Sequence, residues 1–106
     1  MPIESDHWTD PETQAPEGGQ TFGPGFVIAW QRGPMVDAAG NRKTQNGAFV
    51  EDVIKAAVDR LEYYQGTKFA STYNSQALLS LNQALTAMEQ RTADRTARGV
   101  EGTHKV

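Results

Sequence analysis

Apolar positions recur at helical spacing in two stretches of the second half of the chain. From about Ala48 to Gln65, the residues Phe49, Val50, Val53, Ile54, Ala57, Val58, Leu61 and Tyr64 spread over roughly 180° of a helix drawn at 100° per residue. One partner helix needs an apolar stripe only a little over 100° wide. The surplus arc therefore calls for a second cover, either a β segment or another subunit. Asn46 is the expected N-cap, Glu51 and Asp52 sit near the positive end of the dipole, and Gly66 follows as a stop.

A second helix is expected from about Ser75 to Arg98. Leu78, Leu81, Leu85 and Met88 follow the 3-4-3 spacing of a packing seam, flanked by Ala77 and Ala84. Leu79 points away from that seam and needs its own cover. Asn74 is the expected cap, and the loop Gly66 to Asn74 joins the two helices as an antiparallel hairpin.

The first half lacks such periodicity. In residues 1–24, Pro2, Pro11, Pro16 and Pro24 with Gly18, Gly19 and Gly23 interrupt any pattern. This stretch reads as a disordered acidic tail, with Trp8 either solvated or docked on the folded body. Residues 25–45 read as a short β-like segment. Phe26-Val27-Ile28-Ala29-Trp30 favours a strand, and Asp37-Ala38-Ala39-Gly40-Asn41 is turn chemistry between Met35-Val36 and a piece after Arg42. An isolated strand pair is marginal in water, so Trp30 is expected to anchor it on the helices. Residues 46–106 then form the helical-hairpin domain for oligomerisation and ligand binding. The fold class that follows is mainly α: a two-helix antiparallel hairpin with a small β-like N-terminal segment, assembled as a homo-oligomer because so small a core needs help.

Charge narrows the function. Net charge is -3, yet residues 1–24 hold five acids and no Lys or Arg, leaving eight acids against ten bases elsewhere. So weak a positive balance argues against polymeric nucleic acid as a partner. No apolar run approaches the roughly 18 residues of a membrane span, and the acidic start does not suit an export signal. The chain has no Cys. His7 and His104 lie far apart in sequence, so no metal site and no cofactor are expected. Phosphate-cradling glycine loops are missing too. Acid pairs such as Glu51-Asp52 and Asp59/Glu62 read as solvated helix surface, so no catalytic residue is assigned.

Two clusters remain. Arg91, Arg95 and Arg98 follow i, i+4, i+7 and fall within roughly 60° on one helix face. They read either as a solvated helix end, favoured by the dipole and by Asp94, or as an anion site whose planar forks grip phosphate. The loop offers Lys68, Phe69, Ser71, Thr72 and Tyr73, with Tyr63 and Tyr64 just before it. Aromatic faces, hydroxyls and a cation suit a nucleotide. The competing reading has Phe69 and a tyrosine plugging the hairpin's open end.

The run Asn46-Gly47-Ala48-Phe49-Val50-Glu51-Asp52-Val53-Ile54 resembles small phage-encoded proteins. So do Arg60-Leu61-Glu62-Tyr63-Tyr64-Gln65, Lys68-Phe69, Asn74-x-x-Ala77-Leu78, and Ala84-Leu85 followed by Arg91-Thr92-x-x-Arg95. Together they resemble the helical-hairpin family of anti-CBASS and anti-Thoeris signal sponges, over residues 46–98. That resemblance implies a compact homo-oligomer, often a hexamer, in the bacterial host cytoplasm. Its partner would be a cyclic oligonucleotide or a cyclic ADP-ribose derivative, sequestered without cleavage. It further implies Tyr64 stacking on a base, Asn74 bonding a polar edge and Arg91 contacting phosphate. Arg95 and Arg98 join from the wheel, and Lys68 and Phe69 from the loop. The 25–45 segment and the acidic tail lie outside the family pattern. The alternatives are a structural or protein-interaction oligomer with no small-molecule ligand and, less favoured, a nucleotide-cleaving enzyme.

Overall fold

A computed structural model describes residues 2–103 and 105. It corrects the mainly α expectation. The chain is α+β, with a three-stranded antiparallel sheet, β1 (Glu4–Thr9), β2 (Pro16–Gly23) and β3 (Phe26–Trp30), followed by helices α1 (Val50–Gln65) and α2 (Thr72–Ala97). Two of the three strands occupy the stretch expected to be a disordered acidic tail.

The prolines and glycines that masked these strands are the devices that build them. Pro16 is the first residue of β2, a position that tolerates a missing N–H. Pro24-Gly25 is the two-residue turn from β2 to β3, with Gly25 at φ +91°. Between β1 and β2, Asp10 Oδ1 accepts the N–H groups of Glu12 and Thr13 at 2.8 and 3.2 Å, closing an Asx turn. Gly19 sits in the middle strand opposite His7 on one side and Trp30 on the other. It has φ +128°, and a Cβ there would fall 2.1 Å from the Asp6 carbonyl oxygen.

Polar cross-strand pairs join these strands. The Ser5 and Thr21 hydroxyls lie 3.0 Å apart, and Gln20 Nε2 donates to Asp6 Oδ2 at 3.1 Å. Trp30 donates its indole N–H to Thr21 Oγ1 at 2.8 Å, so its polar partner lies in the sheet. Trp8 stands beside the register shift between His7 and Thr9, with the Arg32 guanidinium 5.6 Å from its ring centroid.

The chain divides into two units, Met1–Phe49 with Val100–Val106, and Val50–Gly99. The helical unit is thus an insertion in the sequence of the sheet unit. On the way in, Ala48 makes a parallel bridge with Trp30, through Ala48 N–H to Ala29 O at 2.7 Å and Gln31 N–H to Ala48 O at 2.9 Å. Asn46 does not cap α1. Its side chain pairs with the backbone of Arg32, accepting from N–H at 2.8 Å and donating to the carbonyl at 2.9 Å. On the way out, Gly102 O accepts the Val36 N–H at 2.9 Å and Glu101 pairs with Arg42. Val36 itself bridges Arg42 across the Asp37–Asn41 turn.

In the helical unit, α2 begins earlier than expected. Ser71, rather than Asn74, is its N-cap, and the Ser71 hydroxyl accepts the Asn74 N–H at 3.1 Å. The half-buried stripe of α2 contains Leu78, Leu81, Leu85 and Met88 with Ala77 and Ala84, and faces Val53, Ile54, Val58 and Leu61 of α1. Neither helix contains a fully buried residue. Val50 and Leu79 are 53% and 62% exposed in the single chain.

Candidate functional site

The hairpin loop is held by the side chains of Gln65, Asn74 and Thr67, with Gln65 making the most bonds. Gln65 ends α1 and is half-buried. Its Oε1 accepts from the Ser71 N–H at 2.9 Å and from Asn74 Nδ2 at 3.0 Å, while its Nε2 donates to Ser71 O and Ser75 Oγ at 3.1 and 2.9 Å. Asn74 Nδ2 also donates to Phe69 O at 3.1 Å. Thr67 completes the loop, its hydroxyl donating to Tyr64 O at 2.7 Å and accepting the Phe69 N–H at 3.1 Å. These bonds fix the backbone that carries Lys68 and Phe69.

An open cavity of about 310 Å³ lies here, lined by Tyr64, Phe69 and Asn74. Three of the residues expected to bind a ligand are thus brought together. Phe69 is 68% exposed, so it presents its face to solvent rather than plugging the hairpin. The Lys68 ammonium lies 5.5 Å from the Phe69 ring centroid. Asn74 spends its amide donor on the loop, leaving the carbonyl oxygen as the group that can face a ligand. The lining contains an aromatic pair and an amide, and no carboxylate or imidazole.

Arg60 was not among the expected site residues. Its guanidinium lies 4.9 Å from the ring centroids of both Tyr63 and Tyr64, whose own centroids are 5.9 Å apart at 51°. The hydrogen bond it gives the Tyr64 side chain, with a further electrostatic contribution from Tyr64, raises its pKa above the ordinary arginine value. The sequence signal was available, since i, i+3 and i, i+4 neighbours share a helix face. Gln65 was missed, and Ser71 was read as a loop hydroxyl and not as the α2 cap, for a different reason. Their hydrogen-bonding roles depend on how the chain turns between the helices.

The arginines fall elsewhere. Asn74 and Arg91 are both in α2, and their 17-residue separation places them about 25 Å apart along the axis. Glu51 and Lys55 of α1 line a second cavity, of about 250 Å³, with Leu85, Met88, Glu89 and Thr92. Arg91 is therefore level with the start of α1, and Arg95 and Arg98 lie beyond it. Arg98 is the C-cap of α2, and its Nε bonds Asp94 Oδ2 at 3.1 Å. Arg95 is half-buried and Arg91 exposed. One chain does not unite Arg91 with the Tyr64–Phe69–Asn74 cavity.

His7 lies in β1, and His104 lies outside the described residues. Among the described residues no group of three or more His, Cys, Asp or Glu is placed to hold a metal, and no helix is long and apolar enough to cross a membrane.

A helical hairpin with an aromatic–amide cavity at one end and arginines at the other is the setting in which the sequence motifs stand. No protein-family model matches the chain. Over 79 residues, 74% of the chain, it is 37% identical to Thoeris anti-defense 1 of Bacillus phage SBSphiJ7. That similarity supports a phage anti-Thoeris family for this chain, in agreement with the resemblance carried by its motifs. The chain spans about half, 52%, of that relative's length. The matched stretch is longer than the helical unit Val50–Gly99, so it includes part of the sheet unit, which the motifs had left outside the family pattern.

Proposed function

We propose that this protein is a phage anti-Thoeris sponge, which binds a cyclic nucleotide immune signal in the host cytoplasm and withholds it without cleavage. The observation that carries the reading is the shared cavity of Tyr64, Phe69 and Asn74. Its volume is at the lower end of the range for small-molecule sites. Two aromatic faces suit a base, and the oriented Asn74 carbonyl suits an N–H on its edge. A lining without carboxylate or imidazole favours binding over bond cleavage.

A phosphate partner must come from farther away. Arg91 stands about 25 Å from Asn74 on its own helix, so in this reading a second copy brings its arginine end to the cavity. Helices without a fully buried residue, and the exposed Val50 and Leu79, favour such an assembly, up to the hexamer that the resemblance implies. A Kd set by an arginine–phosphate fork and a stacked base would then depend on self-association.

The test is uptake and release. The protein is incubated with a panel of cyclic oligonucleotides and cyclic ADP-ribose isomers, desalted, heated, and the released material chromatographed. Recovery of an intact panel member supports the sponge. Altered products replace it with an enzyme, and absence of uptake with an oligomer whose tyrosines and arginines only build subunit contacts.

A further inference from the structure

Tyr64, one of the two rings that line the cavity, has a cation against it that the sponge reading has not used. Arg60 precedes it by one helical turn, and the guanidinium reaches both Tyr63 and Tyr64 at 4.9 Å from each centroid. Arg60 is not among the residues lining the cavity, whereas Tyr64 is. The cation therefore supports the ring without occupying the space that a ligand would take.

We infer that Arg60 is a positioning residue for the ligand cavity, holding the Tyr64 ring in its stacking orientation and tuning that ring toward an electron-rich base. This rests on the proposed function. Two physical effects act together. Tyr64 is half-buried near the end of α1 and borders an open cavity, so its ring keeps some rotamer freedom that a stacking ligand would have to restrict at a cost. Arg60 meets part of that cost beforehand by gripping the ring and accepting a fixed place beside Tyr63. In addition, a cation over an aromatic system draws on its negative face. The remaining face becomes a better platform for an electron-rich purine than for an electron-poor ring.

Planarity makes arginine suited to this place. A guanidinium can lie along a ring and still donate to the phenol oxygen, whereas an ammonium offers only a point charge. A purely structural role predicts something different. There the cluster would be one more pair of helix-surface contacts, adding little to the helix's stability and unrelated to binding.

The experiment is a double-mutant cycle on the full chain, with cyclic ADP-ribose and a cyclic adenine dinucleotide as calorimetric probes. Arg60→Gln should weaken the bound probe by about two- to five-fold, the fold-change expected of an exposed cation–π contact. Arg60→Lys should recover part of that loss. In a Tyr64→Leu background the Arg60→Gln effect should vanish, because the ring through which it acts is gone. An effect that persists there means Arg60 touches the ligand itself and overturns the inference, as does an Arg60→Gln protein that binds as tightly as the original. A ligand-free measurement keeps this separate from the sponge reading. The near-ultraviolet circular dichroism of the tyrosines should fall in Arg60→Gln while the far-ultraviolet helical signal stays. If the native chain takes up neither probe, the sponge reading fails for these ligands, and an unchanged tyrosine band would then overturn the positioning role as well.

Discussion

The Gln65 side-chain oxygen accepts a hydrogen bond from Asn74 Nδ2 at 3.0 Å, joining the last residue of α1 to the first turn of α2. The same side chain satisfies both backbone groups of Ser71. Loop geometry and the orientation of Asn74 therefore share one support. Gln65→Leu removes that support while keeping the side chain's bulk, leaving the Ser71 N–H and the Asn74 amide short of partners. The expected cost is about 1–3 kcal/mol, the scale for an abandoned hydrogen-bond group. Thermal melts followed by circular dichroism should show a lower Tm, and an unchanged Tm would mean that water replaces the glutamine.

Gly19 and Gly25 both have positive φ, yet only Gly19 is crowded. Gly19→Ala should break the pairing of β1 with β2, costing ~3 kcal/mol or more, because strain and a collision with the Asp6 carbonyl act together. Gly25→Ala, with nothing within 4 Å, should cost only about 1–2 kcal/mol. Tryptophan emission from Trp8 and Trp30 should shift to longer wavelength in the first variant and stay near its native position in the second.

Deleting residues 1–22 removes β1 and nearly all of β2, the middle strand of the sheet. β3 would lose its only named strand partner, and Trp30 its bond to Thr21. Loss of the native tryptophan environment is expected, read from near-ultraviolet circular dichroism. A truncated chain that keeps it would show that the sheet is dispensable.

Assembly is expected from the exposed Val50 and Leu79. Light scattering should give a mass above that of the 11.6 kDa chain. Val50→Asp or Leu79→Asp should lower that mass, because burying an unpaired carboxylate at an interface costs several kcal/mol. A native monomer at micromolar concentration would remove both the interface and the shared site.

Arg91→Ala should weaken binding of the recovered signal by roughly 1.5–3 kcal/mol, the scale of a hydrogen bond to a charged group, or on the order of ten- to a hundred-fold. Arg91→Lys should recover part of it, since a point charge cannot reproduce the fork. The native affinity should fall with added salt and that of the alanine variant less so. Dissociation of the assembly by Arg91→Ala would instead mark the arginine as an interface residue.

The helices were legible because their information is local. A seam from Ala77 to Met88 and an arc from Val53 to Leu61 are repeats of 3.6 residues, and such a repeat specifies a face wherever it occurs. The site was partly legible for the same reason, since Tyr64, Phe69 and Asn74 flank one short loop. Of the sheet only β3 was legible, as the β-favouring run Phe26–Trp30. β1 and β2 are joined by polar pairs such as Ser5 with Thr21 and Asp6 with Gln20, which leave no apolar alternation to read. Pro16, Gly19 and Pro24 look like breakers until their partners are known, and then they are a strand start, a close approach and a turn. Asn46 bonds the Arg32 backbone instead of capping α1, and Ser71 caps α2 in place of Asn74, because each side chain had several reachable partners and only the fold decided which were near. The sequence by itself determined two amphipathic helices and the chemistry of their connecting loop. Tertiary structure alone decided that the acidic N-terminal stretch pairs into a sheet and that Asn46 turns to the Arg32 backbone, because both depend on which distant residues meet.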